Sequence, residues 1–160
     1  MNSRKYKARL SVVSALVAVL LLSATMVQAQ NAYNRNNLAG IEFLGRGLLY
    51  SMNYERYVKR AGFGVGIATW RIDRKTVAVI PAHVSFRPIG NTNSLYLAAG
   101  ATVGSRVNTL FDSPSVVFGT TAVGYEHVSG SGLVIRPTAN FLFDRSVGLL
   151  WPGLSIAYRF

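Results

Sequence analysis

Cysteine is absent from the 160-residue chain, which excludes a disulfide framework, thiolate metal sites and thiol nucleophiles. Histidine occurs only as His83 and His127, too few for a multi-histidine metal centre, and no metal or other cofactor is expected. Charge is also scarce: 14% of residues are charged, against about 25% in ordinary soluble domains, while 50% are hydrophobic. That balance suits neither a disordered chain nor a heavily solvated surface. Long hydrophobic runs are missing after Gln30. The longest stretch there without Asp, Glu, Lys or Arg, Pro88 to Ser105, is interrupted by Pro88, Asn91, Asn93 and several glycines. No segment beyond Gln30 therefore reads as a membrane-spanning helix, which needs about 20 consecutive apolar residues.

The chain begins instead with an export signal. Arg4, Lys5, Lys7 and Arg9 precede the apolar stretch Leu10 to Ala24, and Val27 and Ala29 suit cleavage before Gln30. Residues 1–29 are expected to be a signal peptide, 30–37 a short N-terminal periplasmic segment, and 38–160 one domain; an uncleaved anchor is the alternative. The chain has 17 basic and six acidic residues, and four of the basic ones sit in the leader, so the formal charge falls from +11 to +7 on cleavage. Basicity alone does not imply nucleic acid, and none is expected as a partner.

Beyond the leader, segments of roughly ten residues alternate with period two and are separated by turn chemistry, the signature of strands. Eight are expected: Leu38–Gly45, Gly47–Val58, Gly62–Ile72, Thr76–Arg87, Ser94–Gly104, Ser115–Val128, Gly132–Phe143 and Trp151–Phe160. In the last, Leu154, Ile156, Tyr158 and Phe160 share one face, and Ser155, Ala157 and Arg159 the other. In the second, Leu48, Tyr50, Met52 and Tyr54 oppose Leu49, Ser51, Asn53 and Glu55. A soluble sandwich turns its apolar faces inward, whereas a membrane barrel inverts this and rings both interfaces with aromatics. Low charge favours inversion. Tyr54, Phe63, Phe86, Tyr125, Tyr158 and Phe160 fall near one set of strand ends; Phe43, Trp70, Phe141 and Trp151 mark the other, with Trp70 at the wrong parity to face lipid. The expected fold is all-β: an eight-stranded antiparallel up-and-down transmembrane β-barrel after a cleaved signal peptide.

In that register Glu42, Glu55, His83, Arg87, Glu126, Arg136 and Arg159 all point into the lumen, whereas Asp73, Asp112 and Asp144 lie in loops. A gated polar pore is one reading. A packed lumen whose carboxylates and guanidiniums neutralise one another is the other, and it is favoured because eight strands enclose only enough space for side chains. Glu126 and Arg136 are expected to meet across the sixth and seventh strands. Gly62, Gly64 and Gly66 repeat with strand period and leave lumen space for larger neighbours. Arg46, Arg74, Lys75, Arg106 and Arg145 are expected in outer loops, within reach of lipopolysaccharide phosphates; Arg56, Lys59 and Arg60 lie at the opposite end.

The terminal Trp151-Pro152-Gly153-Leu154-Ser155-Ile156-Ala157-Tyr158-Arg159-Phe160 resembles the aromatic-ended insertion signal of the small eight-stranded outer-membrane β-barrel proteins of Gram-negative bacteria. Gly47-Leu48-Leu49-Tyr50-Ser51-Met52-Asn53-Tyr54-Glu55-Arg56 is similar to a second-strand pattern in that group. The resemblance implies an outer-membrane location, outer-membrane lipids and the insertion machinery as partners, Tyr158 and Phe160 as part of the insertion signal, and a monomer. It supplies no catalytic residues. His127-Val128-Ser129 resembles the histidine–serine spacing of lipid A deacylase barrels, but the pair lies at a periplasmic turn, away from the outer leaflet, with Asp144 the only downstream carboxylate. The expected function is that of a non-enzymatic barrel with a structural or surface-interaction role. A small-solute channel or transporter and a soluble periplasmic lipocalin-like binder are the alternatives.

Overall fold

In a computed structural model the alternating segments close into a ring. Residues 35–72, 75–90, 92–105, 115–144 and 148–160 are described. The signal peptide and most of the short segment after it lie outside the described residues, as do Asp73, Arg74, Arg106, Asp112 and Arg145. The strands are β1 (Asn37–Leu44), β2 (Tyr50–Val58), β3 (Ala61–Ile72), β4 (Lys75–Phe86), β5 (Asn93–Ser105), β6 (Ser115–Val128), β7 (Leu133–Phe143) and β8 (Gly148–Arg159). Each pairs antiparallel with its sequence neighbours, and β1 pairs with β8 to seal a closed barrel. At the terminal end, where β1 starts and β8 stops, the β2–β3 and β6–β7 connections are tight. Lys59 adopts φ 58° between β2 and β3, and Gly132 adopts φ 99° between β6 and β7.

The period-two pattern places charge inside and hydrocarbon outside. Met52, Phe63, Ile67, Ile80, Val103, Val117 and Ile156 are exposed, while Glu42, Ser51, Glu55, Thr102, Glu126 and Asn140 are buried. Water would penalise such an outer surface by about 1.5–3 kcal/mol for each large side chain left uncovered. The tyrosines of the terminal-end girdle also anchor polar groups: Tyr54 Oη donates to Asn37 Oδ1 at 2.8 Å, and Tyr125 Oη to Asn93 Oδ1 at 2.7 Å. An apolar ring meets water comfortably when its hydroxyl has such a partner.

The structure corrects three expectations at the opposite, loop end. Residues Gly45–Gly47 form a single 3-10 turn, so β2 begins at Tyr50 rather than Gly47. Leu44 and Leu48, flanking that turn, adopt φ 57° and 70°, and this reversal folds the connection back into the barrel mouth. Leu48 consequently loses its lipid-facing parity and is 1% exposed. Arg46, expected in a surface loop, is buried, and its carbonyl accepts a hydrogen bond from Thr102 Oγ1 at 3.0 Å. The third correction concerns tryptophan. Because β8 starts at Gly148, Trp151 lies within a strand at lumen parity, and both it and Trp70 pack against a buried cluster of Leu48, Ala68, Val77, Val79, Phe118 and Leu142. Trp151 Nε1 donates to the Leu48 carbonyl at 3.1 Å. These rings plug the mouth instead of joining the outer girdle, where Phe43, Tyr50, Phe141 and Phe143 are exposed.

Candidate functional site: the charged lumen

Between the aromatic plug and the terminal end, the lumen is filled by a connected set of charged and aromatic side chains. Arg136, from the middle of β7, is at its centre. Its Nε donates to Glu126 Oε2 at 2.9 Å, its Nη1 to Glu55 Oε2 at 2.9 Å, and its Nη2 to both Tyr57 Oη at 2.8 Å and Glu126. Its guanidinium lies 3.9 Å from the centre of the Tyr96 ring. The pairing of β6 with β7, with His127 opposite Ile135, puts Glu126 across from Arg136, so the inward pair expected from sequence forms directly.

The remaining lumen residues extend from this centre. Arg87 Nη1 donates to Glu126 Oε1 at 3.0 Å, and its guanidinium lies 3.6 Å from the Tyr57 ring centre. Glu55 also accepts from the Ser85 hydroxyl, and His83 Nε2 stands 3.5 Å from Glu55 Oε1, an ion-pair distance without hydrogen-bond geometry. Towards the loop end, Glu42 accepts from Arg46 Nε at 3.3 Å and Nη2 at 3.2 Å, and Arg46 Nη1 donates to Tyr96 Oη at 3.2 Å. Tyr96 therefore bridges the Glu42–Arg46 pair to Arg136. Arg159 departs from the expected neutralisation: it has no ion-pair partner among the described residues, and its Nε donates to the Arg35 carbonyl at 2.8 Å.

Period-two glycines make this crowding possible. A methyl group at Gly64 would lie 2.0 Å from His83 Cε1, and one at Gly62 would lie 2.4 Å from Ser85 Oγ. Their missing side chains leave room for the groups that face Glu55, as the strand reading of Gly62, Gly64 and Gly66 anticipates. The cavity bounded by Asn53, Glu55, His83, Arg46 and Arg136 holds about 10 Å³, about enough for one water molecule. Asn53 Oδ1 and both ring nitrogens of His83 lack hydrogen-bond partners among the described residues, so a single water there would find polar neighbours.

Sequence reasoning placed Arg46 in an outer loop and did not single out Tyr57, Tyr96 or Ser85. Tyr57 shares parity with Glu55, Tyr96 with Ser94, and Ser85 with His83, so extending the lumen face beyond its charged members would have found these three. Tyr158 faces outward at the terminal end and accepts from Arg35 Nη1 at 3.1 Å; Phe160 is exposed. His127 Nδ1 lies 2.7 Å from Asn93 Oδ1, while Ser129 Oγ contacts Ser131 Oγ at 2.8 Å and accepts the Leu133 N–H at 3.0 Å. His127 is thus engaged across the β5–β6 pair and Ser129 in holding the β6–β7 turn.

An exterior of hydrocarbon around an enclosed ionic interior defines a membrane-type eight-stranded antiparallel β-barrel, of the fold used by small outer-membrane proteins. No family model and no curated protein sequence matches the chain. Among solved structures, the N-terminal β-barrel domain of Pseudomonas aeruginosa OprF is similar, with a TM-score of 0.64 and 12% identity over 83% of this chain and 100% of that one. The attachment invasion locus protein Ail of Yersinia pestis gives a TM-score of 0.49 and 17% identity over 79% and 99%. The likeness to the OprF domain is one of fold.

Proposed function

We propose that this chain is a monomeric, non-enzymatic barrel of the outer membrane with a structural or surface-interaction role, and that it does not conduct solutes. The observation that carries this reading is the filled lumen. Arg136 bridges Glu55 and Glu126 across the barrel, and the Trp70–Trp151 cluster packs the loop-end mouth above it. A soluble lipocalin-like binder would need its apolar faces around a cavity, and here they point outward. In planar bilayers the purified protein is expected to give no sustained single-channel currents; regular conductance steps at neutral pH would return the channel reading. Fractionation tests the location. The protein is expected in the outer-membrane fraction with heat-modifiable gel mobility, and recovery of a soluble periplasmic form would overturn it.

Phe160 follows β8, next to the outward-facing Tyr158 and Ile156, and its backbone is bonded in both directions to Asn37. Deleting it is expected to lower the amount of assembled barrel severalfold at native expression level, through loss of the insertion signal and of this contact. Unchanged yield of the heat-modifiable form would remove Phe160 from the signal.

A further inference from the structure

We infer that the terminal mouth of the barrel binds an oxyanion, the phosphate group of a free phosphate or of a phospholipid headgroup, held by the guanidiniums of Arg87 and Arg159. The first reason is a local surplus of buried positive charge. Glu126 divides its two oxygens between Arg136 and one N–H of Arg87, and Glu55 is occupied by Arg136 and Ser85. Nothing acidic among the described residues is left within ion-pair range of Arg159, which is 2% exposed. A charge enclosed in this way needs a counter-charge.

Unused donors supply the second reason. Arg159 Nη1 and Arg87 Nε are both buried and without acceptors among the described residues. The two guanidiniums lie 5.1 Å and 3.6 Å from the centre of the same Tyr57 ring, so both border one aromatic side chain. Planar guanidinium forks match pairs of phosphate oxygens and bind them more strongly than neutral donors do. Arg87 is the first residue after β4, at the mouth itself, where an anion would arrive.

The surrounding rim points the same way. Arg56, Lys59 and Arg60 are exposed at this end, while the acidic side chains of Glu55 and Glu126 face the lumen. Arg60 is tied to the site on both sides: its carbonyl accepts the Arg87 N–H at 2.9 Å, and its Nη1 donates to the Pro88 carbonyl at 2.8 Å. Such a rim, with three exposed cationic side chains and no acidic side chain among the described residues beside them, raises the local concentration of anions before any contact with the buried pair.

The test is a titration of inorganic phosphate into the folded barrel in zwitterionic detergent, read by binding heat and by broadening of the phosphorus resonance. Saturable binding is expected, with Arg159→Gln and Arg87→Gln each weakening it by about tenfold or more, the usual effect of losing a charge-assisted hydrogen bond. Retained heat-modifiable mobility shows that a variant is folded, and either variant suffices should the other fail to fold. A second arm uses phosphatidylcholine vesicles with and without phosphatidylglycerol. If free phosphate does not bind but the phosphatidylglycerol headgroup is immobilised by the parent barrel and released by Arg159→Gln, the site stands and its ligand is the lipid. Absence of binding in both arms overturns the proposal. So does binding that survives both Arg159→Gln and Arg87→Gln, or that depends only on Arg56, Lys59 and Arg60.

Discussion

Replacing Arg136 with methionine is expected to destabilise the barrel by about 3–5 kcal/mol, the range for breaking one side of a buried ion pair. Burial decides this magnitude. Exposed pairs contribute about 0–1 kcal/mol because water and salt replace the lost partner, but Arg136 is 2% exposed and Glu126 fully enclosed. Removing the guanidinium takes donors from Glu55, Glu126 and Tyr57 together and leaves two carboxylates in one narrow lumen. The measurement is reversible urea unfolding in lipid vesicles, run as a double-mutant cycle with Glu126→Gln. Directly contacting partners should couple by about 0.5–3 kcal/mol. Combining Arg136→Met with Glu55→Gln should recover part of the loss, because the carboxylate left without its guanidinium is gone while Glu126 keeps Arg87. Additive, near-neutral single effects would show that the lumen is hydrated and would restore the water-filled pore.

The pairing of Glu126 with Arg136 is legible in sequence because two simple rules meet there: strict alternation assigns each an inward side chain, and a tight turn sets β6 opposite β7. The same rules identify Glu42, Glu55, His83, Arg87 and Arg159 as lumen residues, and each is buried. They fail where the backbone leaves the pleat. Arg46 lies within, and Leu48 directly after, a 3-10 turn flanked by left-handed residues on both sides, and alternation carries no information through such a turn. Trp70 and Trp151 mislead for another reason. Aromatics near strand ends suit either an interface girdle or a plug, and their parity, which excluded Trp70 from the lipid face, is the stronger signal. Parity places Arg159 inside, but it cannot say that the nearby carboxylates are already engaged by Arg87 and Arg136. That competition is a property of three-dimensional packing among β2, β6, β7 and β8.

Replacing Gly40 with valine is expected to abolish the closed, heat-modifiable form, because this glycine lies on the seam that turns a sheet into a barrel. It pairs with Asn53 of β2 on one side and Ala157 of β8 on the other. A Cβ added there would stand 2.4 Å from Ala157 Cα and 2.4 Å from the Ile156 carbonyl oxygen, and those backbone atoms have no rotamer by which to retreat. Alanine is expected to cost about 1–3 kcal/mol as overpacking strain, and the branched side chain more. Separation of β1 from β8 would expose unpaired N–H and C=O groups to hydrocarbon, at several kcal/mol for each group. Assembly therefore has little room to accommodate valine. Two other glycines calibrate the result. At Gly64 the added carbon meets the His83 ring, a side chain that can turn aside at some cost to the Glu55 cluster, whereas at Gly130 nothing lies within 4 Å. The expected order of damage to gel mobility and urea midpoint is Gly40→Val, then Gly64→Ala, with Gly130→Ala within about 0.5 kcal/mol of the parent. A Gly40→Val barrel with parental yield and midpoint would mean that the β1–β8 contact is looser than these distances require, and that closure depends on the lumen network around Arg136.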